Sequence, residues 1–420
     1  MAAGHIIAGL DIGSTTIRLA IGQMVGEGDG QIHIIGASES TAEGITKGTI
    51  TSIEDAISSI SACLERAERM IGSPVDAAWV GISGHHILSQ ESRGVIAIAR
   101  SDGEIQEGDV ERAIEAARTV ATPPNYEILH VIPKAFTVDS QDSIKDPVGM
   151  SGVRLEVDAQ IIQGLSAQVK NVTKCIYRTG IEIEDIVLSI LATAEAALTS
   201  RQKDLGVAVV DIGGSTTSLA VFEEGDIIHT AVIPIGSQHI TADLAISLRV
   251  SIDAAEQIKL AHGVARSKSV NKRDEIDLGE FEPQESSPTS RKYLAEIIEA
   301  RVEEIFDKVD DELKKIERSG KLPAGIVFTG AGAKLPELVE LAKDKLRLPA
   351  ALVEPLGVSN AIDKVADPAF CTAVGLVMWG SQLQGAGGGG FGNIMNRLPG
   401  VADVTSSAKK IFKKLTSRGG

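Results

Sequence analysis

Aromatic residues are scarce in this chain: they make up 3% of its 420 residues, whereas hydrophobic residues as a whole reach 43%. The interior must therefore be filled mainly by Ile, Val, Leu and Ala, a composition that suits layered α/β packing. A chain of this length is too long for one compact core, so we expect two or more domains.

Cysteine is also rare, and long apolar runs are missing. The three cysteines, Cys63, Cys175 and Cys371, lie far apart without a CxxC pair or a neighbouring histidine. This spacing argues against a disulfide framework and against zinc, and we expect buried, reduced thiols. No apolar run reaches the length of a bilayer span, and the N-terminus does not resemble a signal peptide. We therefore expect the protein to stay inside the cell.

A basic surface is missing from most of the chain, whose formal net charge is −16. Binding along nucleic acid needs a clustered basic face, and none is visible before the last thirty residues. We therefore predict no nucleic-acid partner.

An internal repeat is the strongest pattern that is present. The segment DIGSTTIRLA at 11–20 can be laid over DIGGSTTSLA at 211–220. Each copy follows an apolar, β-rich run and turns through small residues into an alternating strand, which predicts a hairpin. Two such openings predict a duplicated domain.

The two turns have the composition of phosphate-binding loops. Several backbone N–H groups must converge on a phosphate, and only glycine and small hydroxyl residues allow so close an approach. The candidate phosphate ligands are Gly13, Ser14, Thr15, Thr16, Gly213, Gly214, Ser215 and Thr216. The aspartates that open the turns, Asp11 and Asp211, stand where carboxylates can hold the waters of Mg²⁺. A single copy would be as well explained by an ordinary glycine turn, but two matched copies favour a nucleotide site.

A third glycine turn follows an apolar strand in GIVFTGAGAK at 325–334. Gly330, Ala331 and Gly332 allow close approach of a flat ring or a ribose. A dinucleotide-binding turn is the alternative, but the third glycine of GxGxxG is missing and no ribose-binding acid follows. A plain turn between a strand and a helix is the other alternative.

The periodicity predicts a helix over 53–71, a strand over 77–82, one helix over 241–262 and a long helix over 291–316. The charged stretch 266–290 between the last two is predicted to be mobile surface. The domains that we predict are 1–84 (first half of domain I), 85–164 (inserted subdomain), 165–206 (rest of domain I), 207–227 (domain II core), 228–304 (a subdomain of domain II), 305–365 (domain II core with the third glycine turn), 366–384 (return helix to domain I), 385–405 (flexible Gly-rich linker) and 406–420 (amphipathic helix).

The C-terminal segment has the pattern of a helix that lies in a membrane interface. One face of this predicted helix holds Ala408, Ile411, Phe412 and Leu415, and the other holds Lys409, Lys410, Lys413 and Lys414. Residues 391–398 repeat the apolar spacing and are a second, weaker candidate for membrane contact. The alternatives are a helix that docks on the protein itself and a disordered basic tail.

Together, the two hairpins, the small-residue helices at 192–198 and 370–380 and the GAG turn resemble the actin and heat-shock-chaperone ATPase superfamily. Within it, the chain resembles the FtsA family of bacterial cell-division proteins. The features that carry this resemblance are the insert after Ile82, the stretch 233–241, the run 255–263 and the amphipathic tail. One departure is Gly236-Ser237, where FtsA chains often have two glycines.

The resemblance implies an α/β, duplicated actin-like (ribonuclease H-like) ATPase fold, with an inserted subdomain in the first half and a C-terminal amphipathic membrane helix. It implies ATP and Mg²⁺ as cofactors and at most slow hydrolysis. The implied partners are the C-terminal peptide of FtsZ, further copies of the chain in a head-to-tail filament, an anionic membrane surface and other division proteins. The implied location is peripheral, on the cytoplasmic side of the membrane at the division septum.

Several residue roles rest on the resemblance alone. It places Glu256 and Lys259 beside the ribose and adenine, Glu195 where it orients the attacking water, and Arg291 and Arg301 at the FtsZ peptide. Exposed ion pairs or ordinary surface charges are the alternatives for all five.

Three further residues stay open. Arg18 either approaches a phosphate or caps a strand. His85 and His86, as neighbours on a strand, would point in opposite directions, so a shared metal is not expected.

Two other functions remain as rivals of the cell-division role. A small-molecule kinase of the same superfamily would need a general-base aspartate and a substantial substrate domain, and neither is visible. A pilus-assembly scaffold would share the fold, and a terminal membrane helix discriminates against it.

Overall fold

The computed structural model describes residues 6–25, 31–119, 123–282, 288–360 and 362–384. Its strands, in chain order, are Ile6–Ile12 (β1), Thr16–Val25 (β2), Gln31–Thr41 (β3), Ile45–Thr46 (β4), Thr49–Ile50 (β5), Ala77–Ile82 (β6), Ile87–Ala97 (β7), Tyr126–Val138 (β8), Gln141–Ile144 (β9), Arg154–Leu165 (β10), Glu182–Leu188 (β11), Val207–Ile212 (β12), Thr217–Glu223 (β13), Asp226–Ile233 (β14), Glu275–Asp277 (β15), Pro288–Ser290 (β16), Ile326–Thr329 (β17), Ala350–Leu352 (β18) and Val358–Asn360 (β19).

The α-helices, in the same order, are Ile53–Ile71 (α1), Glu107–Arg118 (α2), Ser166–Arg178 (α3), Ser189–Ala197 (α4), Ser200–Leu205 (α5), Ser237–Leu248 (α6), Ile252–His262 (α7), Arg291–Lys315 (α8), Leu338–Leu346 (α9) and Cys371–Gln384 (α10). Short 3-10 helices cover Ser267–Ser269, Leu278–Glu280, Ala331–Lys334, Asp363–Val365 and Pro368–Phe370. No helix within the described ranges is long and apolar enough to cross a bilayer.

Two central sheets have the same plan. The first has the strand order β11-β6-β1-β2-β3-β19 and the second has β14-β13-β12-β17-β18. In each sheet a central strand pairs antiparallel with the next strand and parallel with a strand from later in the chain: β1 with β2 and β6, and β12 with β13 and β17. The predicted duplication is therefore visible in strand order as well as in sequence.

The cores follow this division in part. Residues of the first sheet, of α1 and α3 and of the crossing helices α4 and α10 form one buried cluster, which also includes Val207, Val209 and Val327 from one face of the second sheet. Residues of the other face of the second sheet form a second cluster with α6, α7, α8 and α9. The helices α4 and α10 pack on each other, α4 also contacts β12 of the second half, and α10 packs on β1 of the first. Their small residues allow this approach, and the Thr193 and Thr372 hydroxyls hydrogen-bond where the helices meet, 2.8 Å apart. The two helices thus join the halves.

The inserted subdomain is a separate layer. Its four-stranded sheet has the order β7-β10-β8-β9, and α2 packs on one face of it. It has a small buried cluster of its own that includes Ile114, Phe136 and Leu155. The segment predicted as an insert therefore has the core of a subdomain.

Two sequence-based expectations about local structure were wrong, and two predicted domain boundaries fall inside regular elements. The helix predicted over 241–262 is two helices, α6 and α7, because Arg249 takes a left-handed conformation with φ 58°. The stretch 266–290 was predicted to be mobile surface, yet it contains the strand pair β15 and β16 and buries Ile276 and Leu278. The boundary at 304/305 falls inside α8, and the boundary at 227/228 falls inside β14.

Candidate functional site: a cleft between two matched turns

The two phosphate-loop candidates have the same backbone construction. The last residues paired across each hairpin are Ile12 with Ile17 and Ile212 with Thr217, so each turn spans four residues. In the second turn the Gly213 N–H donates to the Thr216 carbonyl oxygen at 2.9 Å. Each turn therefore ends a buried strand at the same point of its own sheet.

The two turns also touch each other. A Cβ placed on Gly214 would lie 2.5 Å from the Thr15 Cγ2, so glycine is needed for this approach. The turns face a common cavity of about 640 Å³, counting the solvent at its mouth. Its lining includes Asp11, Ile12, Gly13, Ser14, Thr15, Thr16, Arg18, Gly48, Ser83, Ser189, Asp211, Gly213, Gly214, Ser215, Thr216, Ser218, Gly330, Ala331, Ala369 and Thr372. All eight candidate phosphate ligands lie around this cavity.

Asp11 and Asp211 lie half-buried on the floor of the cavity. Burial and, to a smaller extent, the neighbouring Asp211 carboxylate together raise the pKa of Asp11 to about 7, while Arg18 opposes both effects. Burial likewise raises the pKa of Asp211 to about 6, against the influence of Arg18 and of the Thr329 hydroxyl. Two neighbouring carboxylates that resist ionisation form a site whose charge a divalent cation can neutralise.

Arg18 lies in the cavity as its one cationic lining residue within the described part of the chain. Its guanidinium stands 5.7 Å from the centre of the Phe370 ring. The Nε is buried and makes no hydrogen bond to a described residue, with the Glu39 carboxylate 3.4 Å away. The Nε thus has an ion-pair partner in Glu39 but no hydrogen bond of good geometry, and an anion in the cavity would supply one.

The third glycine turn reaches the same place. Gly330 has φ 87° and ψ 162°, a region that is essentially restricted to glycine. A Cβ there would lie 2.1 Å from the Asp211 Oδ1, and one on Gly332 would lie 3.0 Å from the Ser237 Cβ. Gly330 and Ala331 line the cavity. Gly332 is not a lining residue and packs against Ile212 and Ser237.

Glu256 and Lys259 form one polar cluster near this turn. The Lys259 Nζ lies 2.7 Å from the Glu256 Oε2 and 2.9 Å from the Thr241 Oγ1, and Lys259 is 8% exposed. Lys259 also donates to the Ser237 carbonyl oxygen at 3.4 Å. Because Ser237 N donates to the Gly213 carbonyl oxygen at 2.9 Å, this cluster is two contacts away from the second phosphate turn.

Glu195 does not reach the cavity. Its carboxylate accepts from the Lys203 Nζ at 2.7 Å and from the Gln382 Nε2 at 3.3 Å, and it is not among the lining residues. The lining residue that α4 supplies is its first one, Ser189, which is 4% exposed. The water-orienting position given to Glu195 is therefore corrected: the carboxylate links α4 to α5 and α10.

The two candidate partner-binding arginines lie on α8 and are both engaged within the protein. The Arg301 guanidinium donates to both carboxylate oxygens of Asp243, at 2.6 and 2.8 Å, and to Glu304. Arg291 is held more weakly, by the His262 carbonyl oxygen at 3.3 Å and by Asp274 at 3.9 Å. Neither side chain is an unpaired positive charge.

The two adjacent histidines lie in a turn before β7, not on a strand as the sequence analysis assumed. Their rings are perpendicular with centroids 6.1 Å apart. His85 is exposed, whereas His86 is buried, and burial lowers the pKa of His86 to about 4. No group of three or more His, Cys, Asp or Glu able to hold a metal is found in the described ranges.

The candidate membrane residues 408–415, the weaker candidate 391–398 and the linker 385–405 lie outside the described residues.

Sequence reasoning missed several residues that line the cavity, among them Gly48, Ser83, Ser189, Ser218 and Thr372. The Ser83 and Ser218 hydroxyls, one from each half, lie 3.0 Å apart. A weak signal was available, because Ser83 directly follows the buried strand β6 and Ser189 directly follows β11. Polar residues at the ends of buried strands commonly line sites in α/β folds.

The residues fit a chain of phosphates with a divalent cation. The cavity offers glycine turns from both halves, hydroxyl groups, an arginine with an unsatisfied Nε and two carboxylates that resist ionisation. These are the groups that phosphate and Mg²⁺ binding require.

The comparisons with known proteins agree with this architecture. A family model described as "Cell division protein FtsA" matches residues 208–375, and one described as "SHS2 domain inserted in FTSA" matches residues 84–163. The chain is 38% identical over 385 residues to the cell division protein FtsA of Pseudomonas aeruginosa, covering 92% of this chain and 91% of that protein. It is 38% identical over 384 residues to the Bacillus subtilis cell division protein FtsA, covering 91% and 85%.

Two solved structures are similar at the level of the fold. The PilM-PilN type IV pilus biogenesis complex superposes with a TM-score of 0.67 at 16% identity, covering 89% of this chain and 98% of that one. MreB5 of Spiroplasma citri bound to ADP gives a TM-score of 0.54 at 14% identity, covering 90% and 97%. The predicted α/β, duplicated actin-like fold with an insert in its first half is confirmed. With both halves, the insert and most of the length matched, the chain belongs to the FtsA family of cell-division proteins.

Proposed function

We propose that this chain is a nucleotide-dependent scaffold of the division machinery that binds ATP with Mg²⁺ between its two halves. The observation that carries the proposal is the meeting of two matched turns, with Gly214 against Thr15, over one cavity floored by Asp11 and Asp211. The solved MreB5 structure of the same fold is bound to ADP, which supports nucleotide binding by this chain.

Mg²⁺ would neutralise phosphate charge next to the two carboxylates. The N–H and hydroxyl groups of the turns would hold the phosphates, and Arg18 would complete its hydrogen bonds on them. Gly330 to Gly332 and the cluster of Glu256 and Lys259 stand where the nucleoside would follow, on the second half. The lining positions of Gly330 and Ala331 and the contact of Lys259 with Ser237 support these assignments.

Hydrolysis is expected to be slow at most. Among the described residues that line the cavity, the only carboxylates are Asp11 and Asp211, and there is no histidine. Both carboxylates are assigned to the metal, which leaves hydroxyl groups such as Ser189 near an attacking water. Hydroxyl groups are poor general bases at neutral pH.

We also propose that the second half binds the C-terminal peptide of FtsZ through the surface of Arg291 and Arg301, and that the C-terminal helix attaches the protein to anionic lipid from the cytoplasmic side. A carboxylate of the peptide would have to replace Asp243 at Arg301 or share the more weakly held Arg291. Head-to-tail assembly would place many weakly binding tails along one membrane, which strengthens attachment. Family membership supports these roles, and the two relatives named above are cell division proteins, which favours the division role over the rival kinase and pilus functions.

The test is nucleotide binding by the full-length protein. Titration with ATP in the presence of Mg²⁺ should give saturable binding that weakens strongly in EDTA. Asp211→Asn should weaken it at least about tenfold, since a carboxylate facing the metal is lost. Asp204→Asn is the matched control, because this exposed aspartate lies on α5 outside the cavity. The proposed site would be ruled out if the wild type, Asp211→Asn and Asp204→Asn bound ATP with equal affinity, or if binding did not depend on Mg²⁺.

A further inference from the structure

The first phosphate turn is connected to a small hairpin that has no counterpart in the repeat. The strands β4 and β5 form this hairpin, and Lys47 and Gly48 make its tip with φ values of 53° and 73°. The Gly48 N–H donates to the Ser14 Oγ at 2.8 Å, and both residues line the cavity. An anion held by the first turn would compete for this N–H, so occupancy of the cavity acts directly on the hairpin tip.

The hairpin tip presses on the turn that follows β6. A Cβ on Gly48 would lie 2.3 Å from the Ser83 carbonyl oxygen and 2.6 Å from the Gly84 Cα, so the two turns are in tight contact. The His85 Nδ1 lies 3.1 Å from the Lys47 carbonyl oxygen. A carbonyl oxygen can only accept a hydrogen bond, so the His85 ring donates. This hydrogen bond connects the turn 83–86 to the tip of the hairpin.

The turn that includes His85 leads directly into the inserted subdomain. His86 is the last residue before β7, and its carbonyl oxygen accepts from the Leu165 N–H at 3.2 Å, at the end of β10. The His86 ring is 3% exposed, and neither of its nitrogens has a hydrogen-bond partner in the described part of the chain. An unsatisfied buried ring at a junction favours a second arrangement in which it finds a partner.

The far end of the insert rests on the second half. The Lys145 Nζ lies 3.1 Å from the Asp226 carboxylate and contacts the Glu224 carbonyl oxygen, both at the turn between β13 and β14. A tilt of the insert at its base would therefore change this polar contact. It would also change the contacts of β7 and β8 with β14 and the packing of Ile87 and Ile132 on the core of the first half.

We propose that the β4–β5 hairpin and the turn 83–86 form a relay that changes the orientation of the inserted subdomain when the first phosphate turn is occupied. The proposal rests on the proposed function, since it takes the occupant to be the phosphate chain of a nucleotide. It assigns the relay to contacts outside the phosphate turns, chiefly that of His85 with Lys47 and that of Gly84 with His86.

Hydrogen exchange measured by mass spectrometry on the full-length protein tests the relay, with and without the ATP analogue AMPPNP and Mg²⁺. In the wild type, exchange should slow in both phosphate turns and change about fivefold or more in the hairpin, at the start of β7 and at the end of β10, as expected for a coupling between sites. His85→Ala removes the bond to Lys47. Gly84→Ala places a Cβ 2.6 Å from the His86 ring and 3.1 Å from the Gly48 carbonyl oxygen at the hairpin tip, so it pushes the turn 83–86 away from the hairpin in another way.

Both variants should keep nucleotide binding and protection of the phosphate turns while losing the response of the insert. His33→Ala is the control, because it also removes a histidine hydrogen bond, to the Ser359 Oγ at 2.5 Å, at the other edge of the first sheet. If one variant does not fold, the other decides.

The relay is overturned if the insert of the wild type does not respond while both phosphate turns do, or if the insert responds as fully in the folded variants as in the wild type. If neither phosphate turn responds in the wild type, the proposed function fails as well, and this result is distinct from the other two.

Discussion

Replacing Asp11 by asparagine should make the nucleotide-free protein more stable and, at the same time, remove its response to Mg-ATP. The side chain keeps its size and loses the charge that the cavity floor disfavours. Asp11 is half-buried next to Asp211, and in the absence of a cation only Arg18 favours its ionised form. An asparagine has no such cost.

The magnitude follows from the pKa of Asp11, which rises from 3.8 in a free carboxyl to about 7 in the folded protein. A raised carboxyl pKa means that stability is complete below about pH 4 and is lost as the pH rises through 7. At 1.36 kcal/mol for each tenfold change, the ionised group costs up to about 4 kcal/mol at pH 8 and about 1 to 2 kcal/mol at pH 5. The gain from Asp11→Asn should therefore be larger at pH 8 than at pH 5.

Denaturant unfolding of the full-length protein in EDTA at both pH values measures this gain, with the exposed Asp204→Asn as the control. Addition of Mg-ATP at about a hundred times its dissociation constant should stabilise the wild type by about 2.7 kcal/mol and the Asp11 variant by much less. The reasoning would be refuted by a variant that is less stable than the wild type at pH 8, or by a gain that does not depend on pH.

Three further outcomes are expected. Gly330→Ala should destabilise the second half by about 2 kcal/mol or more and abolish ATP binding, because φ is 87° and the new Cβ would lie 2.1 Å from the Asp211 Oδ1. Denaturant unfolding measures the loss of stability and titration with ATP measures the loss of binding. Unchanged ATP binding would contradict the proposed site. In a titration with the FtsZ C-terminal peptide, Arg291→Ala and Arg301→Ala should each weaken binding about fivefold or more, whereas Arg112→Ala in the insert should not; equal affinities would remove this surface from consideration. A chain that ends at residue 384 should no longer co-sediment with anionic vesicles, and sedimentation equal to that of the full chain excludes the tail as the anchor.

The sequence predicted those elements of the fold that are marked by residues within or next to the element itself. The helix over 53–71 and the strand over 77–82 were predicted to the residue, because apolar spacing and turn residues at both ends act within a few residues. The break between α6 and α7 was missed, since no glycine or proline marks it and Arg249 itself adopts the left-handed conformation. A local signal was nevertheless present, because Ser251 caps the start of α7 by accepting a hydrogen bond from the Ala254 N–H.

The same distinction applies to the site. The phosphate turns were predicted because each is a contiguous motif, and the repetition removed the ambiguity of a single copy. Glu195 was misplaced because the position of a residue along a helix that crosses between halves depends on packing, which brings Ser189 to the cavity and Glu195 to Lys203.

By itself, the sequence determined that the chain is duplicated, that each half opens with a glycine turn after a buried strand, and that an aspartate precedes each turn. These follow from short segments whose backbone needs are met by their own residues. Only the tertiary structure decided that the two turns meet, that Arg18, Ser83 and Ser218 share their cavity, and that Arg301 is already paired with Asp243. These contacts are between residues that lie far apart in the chain. The distances between such residues depend on how α4 and α10 cross and on how the two sheets pack.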